Sequence, residues 1–366
     1  MSTCAVLSFR LGGTDGVSIV ADTWITALHR LGFEVQTVAG EGNVDVVVPD
    51  LAIGRWADGA AGLHGPNGAT DSDIERLTAE LVAVLDSVDL VVVENLGSIP
   101  MNLPASIAVA KAREGRPTIW HHHDPAWQRD RYVDVTELPL HELIPSGQWR
   151  HVTINELTRQ QFIERGFDAT TIRNGFDVHA PLGDRARERQ RLGFAPSELV
   201  MVHPVRAIER KNLPLAIDCA ERLGATYWLT GPAEEGFGAT LVSILDDARQ
   251  RGIKVVHESS AILADMYAAS DVVVFPSTWE GFGNPPIEAA IHQRPAIVSR
   301  YPVAEELRAL GFQWFDPDNL GEFNDRIAQP DRPLIEHNRK VVESTLSLEV
   351  MHSALRNLLD EAGWLP

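Results

Sequence analysis

Apolar runs of strand length alternate with longer stretches of helical period almost from one end of the chain to the other. That pattern predicts parallel sheets covered by helices on both faces. In the first half the expected strands are 4–8, 34–38, 90–94, 118–122 and 152–155, with a helix over 17–30. In the second half they are 199–204, 226–230, 254–257, 272–276, 296–299 and 313–315, and helical period returns over 334–365. The class is α/β, and each half has strands enough for its own doubly wound sheet. Residues 174–198 carry turn residues and charges but no wide apolar stripe, so they read as the connection between halves. This divides the chain into domains over 1–180 and 190–345. Ligands of doubly wound sheets bind beyond the carboxyl ends of the strands, so loops of both halves are expected to build the site.

Length supports two cores, because 366 residues exceed what one core usually serves. Hydrophobic residues at 44% and charged residues at 23% exclude disordered and fibrous classes. A net charge of −19 opposes nonspecific attraction to nucleic acid or to an anionic membrane. No apolar run approaches the ~20 residues of a membrane span, and the first residues lack the features of a signal peptide. Integral membrane association is therefore not expected, and the expected location is the cytoplasm. Cys4 and Cys219 lie far apart in apolar segments, as buried free thiols of a reducing compartment do. A phosphate-bearing ligand would have to be held by a few local cations and backbone amides.

Four segments carry candidate chemistry. PSTWEGFGNPPIEAA, from Pro276, places Glu280 and Glu288 eight positions apart, with Gly281 and Gly283 at the mouth of a helix expected from Asn284 or Pro285. A helix N-terminus preceded by glycines offers backbone N–H groups and a positive dipole end to an anion. Proline in the first turn costs little there. The carboxylates suit hydroxyls, so a ligand with both sugar and phosphate fits; an ordinary strand-to-helix turn would show the same spacing. HPVRAIERKNLPLAI, from His203, offers Arg206, Arg210 and Lys211 in a loop leading to a helix. Such cations compensate a diphosphate, and equally compose a solvated basic loop.

RLGGTDGVS, from Arg10, brings Gly12, Gly13, Asp15 and Gly16 to the exit of the first strand. It is not a dinucleotide-binding fingerprint, but glycines there permit close approach of a ligand or simply a tight turn. WHHHDPAW, from Trp120, ends another strand. Alternation sends His121 and His123 to one face and His122 to the other, which makes a three-histidine metal site geometrically poor. Two Asp-x-Asp triplets, Asp71 with Asp73 and Asp316 with Asp318, sit at an expected helix start and in a turn, positions that aspartate favours without any metal.

The Glu280–Glu288 run, with its flanking FPS and IEAA, resembles the E-x7-E signature of retaining glycosyltransferase family 4. IRNGFD, from Ile172, and the Arg206–Lys211 spacing are similar to segments of the same family. The resemblance implies a GT-B fold: two Rossmann-like domains facing across a cleft, with a last helix over 346–366 packing back on the first. It implies that Glu280 contacts the transferred sugar, that Glu288 binds the ribose, and that Phe282, Gly283 and Asn284 hold sugar or phosphate oxygens through their amides. Arg206 and Lys211 would grip the diphosphate. The loop of Gly12 and Gly13, with Asp15, would face phosphate and acceptor. His123 with Asp124, or alternatively His122, would reach the donor sugar.

No metal or cofactor is then required. The partners would be a nucleoside diphosphate sugar, UDP or GDP most readily, and a small-molecule or glycan acceptor. The chain departs from the family at His292, Gln293, Arg294, Arg300 and Tyr301, where small residues and a glycine loop are usual. Two competing readings share the fold, a nucleotide-sugar 2-epimerase and a non-catalytic nucleotide-sugar-binding protein. A phosphorylase would need a pyridoxal-phosphate lysine, and Lys111, Lys211, Lys254 and Lys340 offer no convincing context.

Overall fold

The computed structural model describes residues 2–13, 15–56, 68–129, 132, 147–321, 323 and 332–366. They form two compact units, one of Met1–Gly175 with Leu348–Pro366, the other of Phe176–Ser347.

In the first unit, β-branched and apolar runs form strands β1 (Thr3–Leu11), β2 (Glu34–Gly42), β3 (Val46–Val47), β4 (Leu90–Glu94), β5 (Thr118–His122), β6 (Trp149–Thr153) and β7 (Ala169–Thr171). All pair in parallel, in the order β3-β2-β1-β4-β5-β6-β7. β4 and β5 are buried along their whole length, as strands covered on both faces must be. Period-2 alternation divides their side chains between two cores. Val91, Val93 and Trp120 pack with Leu77 and Leu81 of α2 (Asp71–Val84) and Val109 of α3 (Leu103–Ala112). Leu90, Val92 and Ile119 pack on the other face with Trp24 of α1 (Gly16–Arg30). That second core also takes Met351, Leu355, Leu358 and Leu359 of the last helix, Leu348–Ala362, with Trp364 and Leu365 against its edge. After β6 the chain continues into α4 (Glu156–Glu164).

The second unit has α5 (Arg185–Leu192), α6 (Leu213–Leu223), α7 (Gly238–Gln250), α8 (Leu263–Ala269), α9 (Asn284–Ile291) and α10 (Pro302–Ala309) around a smaller sheet. Its strands β8 (Val200–His203), β9 (Thr226–Leu229), β10 (Val255–His257), β11 (Val272–Phe275) and β12 (Ala296–Val298) run parallel in the order β10-β9-β8-β11-β12.

Two expectations need correction. Part of 174–198, read as a connection, is α5, which is folded into the second unit without an apolar stripe. Arg189 is buried and donates to the carbonyls of Ala269, Ala195 and Glu198 at 2.9, 2.6 and 2.6 Å, while Arg185 donates to Ala268 and Ser270, each at 2.9 Å. At Ala268, Ala269 and Ser270 these guanidinium groups serve carbonyls at the end of α8, which the helix leaves unpaired, and at Ala195 and Glu198 Arg189 ties down the segment that follows α5, so arginine here is a packing residue. The expected strand 313–315 joins the sheet only through a single bridge from Phe315 to Ile297. Its aromatic residues serve side-chain packing instead, Phe312 stacking on Trp314 at 4.9 Å and Phe315 meeting Phe323 edge-on at 4.8 Å.

Candidate functional site

In the second unit the candidate residues gather at the carboxyl ends of β8 and β11. Past β8 the chain makes one short turn, Glu209–Lys211, before α6, and this folds Lys211 inward. Past β11 it delivers Glu280 to the same place. Lys211 Nζ donates to Glu280 Oε1 at 2.6 Å, and Arg210 donates to Glu280 Oε2, also at 2.6 Å. Arg210 further holds the Trp279 carbonyl at 3.1 Å. Burial alone would raise the Glu280 pKa, but the charges of Lys211 and Arg210 outweigh it and hold the carboxyl at about 2. Burial pulls Lys211 below the usual lysine range, because the one carboxylate that pushes back is shared with Arg210. Lys211 also lies over the Phe275 ring, 5.0 Å from its centroid.

Arg206 points elsewhere in this structure. It pairs with Glu234 at 2.6 Å, and both side chains are more than a third exposed, so the pair adds little stability. Its charge is nevertheless close enough to act on Lys211.

α9 opens at Asn284 with Gly283 as its cap and prolines in its first turn. Gly283 has φ +97°, and a β-carbon there would lie 2.4 Å from Tyr301 Oη, so only glycine fits. Phe282 is buried and stacks on Phe176 at 6.3 Å. On the helix itself Glu288 accepts from Tyr267 Oη at 2.6 Å. Burial raises the Glu288 pKa, and that hydrogen bond opposes the shift. The departing residues after α9 support this pair. His292 stacks on Tyr267 at 5.0 Å and 9°, and Arg294 Nε donates to the Tyr267 carbonyl at 2.8 Å.

In the first unit the carboxyl ends of β4 and β5 carry a second polar cluster. Glu94 Oε2 accepts from His121 Nδ1 at 2.9 Å and from His123 Nε2 at 2.7 Å, and Trp24 covers His121 with ring centres 4.1 Å apart. Burial would raise the Glu94 pKa, yet the two imidazoles hold it at about 2. Burial lowers the His121 pKa against the pull of Glu94. Asn95, in left-handed backbone with φ 59°, accepts the amides of His123 and Asp124 at 3.1 and 3.0 Å and so fixes the end of β5. Asp124 is engaged by Arg129 at 2.5 Å. His122 faces the opposite side, against His151 at 3.1 Å and Phe162.

Among the described residues, Glu94, His121 and His123 are the grouping with metal-ligand chemistry, their donor atoms all within 4.8 Å. The two contacts to Glu94 are as short as charge-assisted hydrogen bonds. Tetrahedral ligation with arms of ~2.0–2.1 Å would hold neighbouring donors about 3.3 Å apart, so the network reads as proton-linked. Of the Asp-x-Asp triplets, Asp73 closes a capping box with Thr70, and Asp316 pairs with Arg300 at 2.8 Å.

The glycine loop after β1 has a structural role. Gly12, at φ +73°, would place a β-carbon 2.6 Å from the Asn43 carbonyl oxygen. Asp15 caps α1 by accepting the amides of Val17 and Ser18 at 3.2 and 3.3 Å, and Gly13 is exposed beside it. Arg210, singled out only as one of three loop cations, and Glu94 and Tyr267, which no motif marks, each hold a carboxylate or histidine of the candidate segments. Only Arg210 carried a signal, its adjacency to Lys211.

Residues 199–329 match the family described as glycosyl transferases group 1. Mannosylglucosylglycerate synthase of Petrotoga mobilis is 23% identical over 97% of this chain and 96% of its own length. The enzyme of that name from Thermotoga maritima is 24% identical over 96% and 98%. Among solved structures, HepE of Anabaena in complex with UDP and glucose is similar with a TM-score of 0.75 at 18% identity, covering 99% of this chain and 100% of HepE. Sucrose-phosphate synthase of Thermosynechococcus elongatus gives 0.72 at 15% identity, over 99% of each chain. The fold is GT-B.

Proposed function

We propose that this chain, whose residues 199–329 form a group 1 glycosyltransferase domain, is a retaining hexosyltransferase that takes its sugar from a nucleoside diphosphate donor. The observation that carries the reading is the convergence of Lys211 and Arg210 on Glu280 beside the N-terminus of α9. Without donor, the two cations neutralise Glu280. A diphosphate arriving at the helix N-terminus competes for Lys211, with Arg206 swinging from its exposed partner to join it, and this frees a Glu280 oxygen for the sugar hydroxyls. Glu288, held by Tyr267, presents its other oxygen to the ribose.

Transfer then follows a front-face course. The bond from the anomeric carbon to the diphosphate oxygen breaks, the acceptor oxygen bonds to that carbon from the same face, and its proton passes to the departing diphosphate. Catalysis is mainly electrostatic: Lys211, Arg206 and the helix N-terminus stabilise charge growing on the leaving group. No metal takes part, and UDP or GDP is the nucleotide. The relatives, by their names, build a mannosylated glucosylglycerate. This supports a small, soluble hydroxyl compound as acceptor here and puts mannosyl and glucosyl donors first for trial.

The division of labour between the two glutamates tests the reading. Glu288→Ala should weaken the free nucleotide and the sugar nucleotide alike, because the ribose does not change during reaction. Glu280→Ala should leave nucleoside diphosphate affinity close to that of the wild type while cutting turnover ~10²-fold or more, as loss of a positioning contact does. Calorimetry with UDP and GDP, beside release of nucleoside diphosphate from their sugars, reads both. Normal turnover by Glu280→Ala would remove the role given to that residue.

A further inference from the structure

Three side chains near the Glu280–Lys211 pair bury a polar atom with no hydrogen-bond partner among the described residues: Tyr301 Oη, Trp279 Nε1 and His203 Nε2. Folded proteins leave few such atoms, and each calls for a reason. Tyr301 gives the most specific one. It is 3% exposed, its ring meets Phe275 edge-on at 6.5 Å, and its hydroxyl lies over Gly283, the residue that caps α9. Glu280 is near enough for its charge to act on the phenol, and burial holds the phenol well above its usual pKa, so the hydroxyl keeps its proton. The chain therefore aims an unused hydrogen-bond donor at a helix N-terminus, where an anion is already favoured. Tyr301 belongs to the segment in which this sequence departs from the glycine loop of the family it resembles.

We propose that Tyr301 is a further ligand-binding residue, its Oη donating a hydrogen bond to an oxygen of the diphosphate held at the N-terminus of α9. The proposal rests on the reading of this site as one for a nucleoside diphosphate sugar. In the free protein the hydroxyl carries the cost of an unmade hydrogen bond, and the ligand removes that cost on binding. A phosphate oxygen fits better than a sugar hydroxyl, because the diphosphate holds the densest set of acceptors and the positive end of α9 draws it to Gly283.

Tyr301→Phe deletes the hydroxyl and keeps the ring, so packing on Phe275 survives. Wild type and variant are compared by thermal melting without ligand, and by calorimetry with UDP, GDP, ADP, uridine, guanosine and UDP-glucose. The unliganded variant should melt at or above the wild-type temperature. Its affinity for the nucleoside diphosphate that the wild type binds should fall about tenfold, with no change for the nucleoside. The proposal is overturned if the variant binds the nucleoside diphosphate as tightly as wild type, if only the sugar nucleotide is weakened, or if the variant merely melts lower. Wild-type protein that binds none of UDP, GDP and ADP removes the nucleotide reading and this proposal together, a result distinct from equal binding by both proteins.

Discussion

Lys211 and Arg206 differ in a way that a sequence does not display: one is buried against Glu280, the other exposed against Glu234. Both substitutions to alanine should weaken nucleoside diphosphate binding by roughly 1.5–3 kcal/mol each, the size of a charge-assisted contact. Neither should affect the free nucleoside. Only Lys211→Ala should also destabilise the unliganded protein, by about 1–3 kcal/mol, because Arg210 alone then compensates a buried carboxylate. Calorimetry and urea midpoints separate the two effects, and equal loss for nucleotide and nucleoside would mean that these residues only hold the fold. The glutamates and Gly281 and Gly283 were legible because they lie in one contiguous signature, and Lys211 because it stands five positions after Arg206 in a second short segment. Arg210, Glu94 and Tyr267 were not, since their partners stand 70, 27 and 21 positions away in sequence, and only folding makes them neighbours.

The central buried strands of the first sheet were legible as apolar runs, and α5, held by polar contacts, was not. β4 and β5 have the bounds that their apolar runs predict, because burial on both faces leaves no other way to place 90–94 and 118–122. α5 escaped notice because arginine hydrogen bonds to carbonyls replace the stripe, and β3 is a two-residue pairing with no pattern to read. The last helix joins the first unit by an amphipathic face. Leu355 is fully buried on that face, in the same core cluster as Trp24 of α1 and Val92 of β4. Leu355→Ala should cost about 2–5 kcal/mol in the urea unfolding of this unit. A loss below ~1 kcal/mol, the scale of a surface change, would show that the helix is only loosely attached.

At the scale of the whole molecule, three buried histidines tie stability to pH. His151 is held near 4 by burial; His203 is held near 3 by burial, reinforced by Lys211; and His122 lies well below its usual value by burial and then by the neighbouring His151. The unfolded chain takes up protons near pH 6.5, while the folded chain refuses them until lower pH. Stability from the neutral rings is therefore complete above pH ~6.5 and falls as the pH drops below it, by about 1.4 kcal/mol per unit for His151, down to about 4, and for His203, down to about 3. Thermal melting from pH 8 to 4 should show a decline that begins near 6.5, before the ion pairs of Glu94 and Glu280 are lost, and His151→Phe should flatten it. A midpoint constant down to pH 4.5 would contradict the assignment. The retaining, metal-free transfer proposed for this chain is decided by NMR of the glycoside made from a sugar nucleotide in the presence of EDTA. The product should keep the anomeric configuration of the donor sugar and form at an undiminished rate; an inverted anomer, or a reaction abolished by EDTA and restored by Mg²⁺, would overturn the proposed transfer.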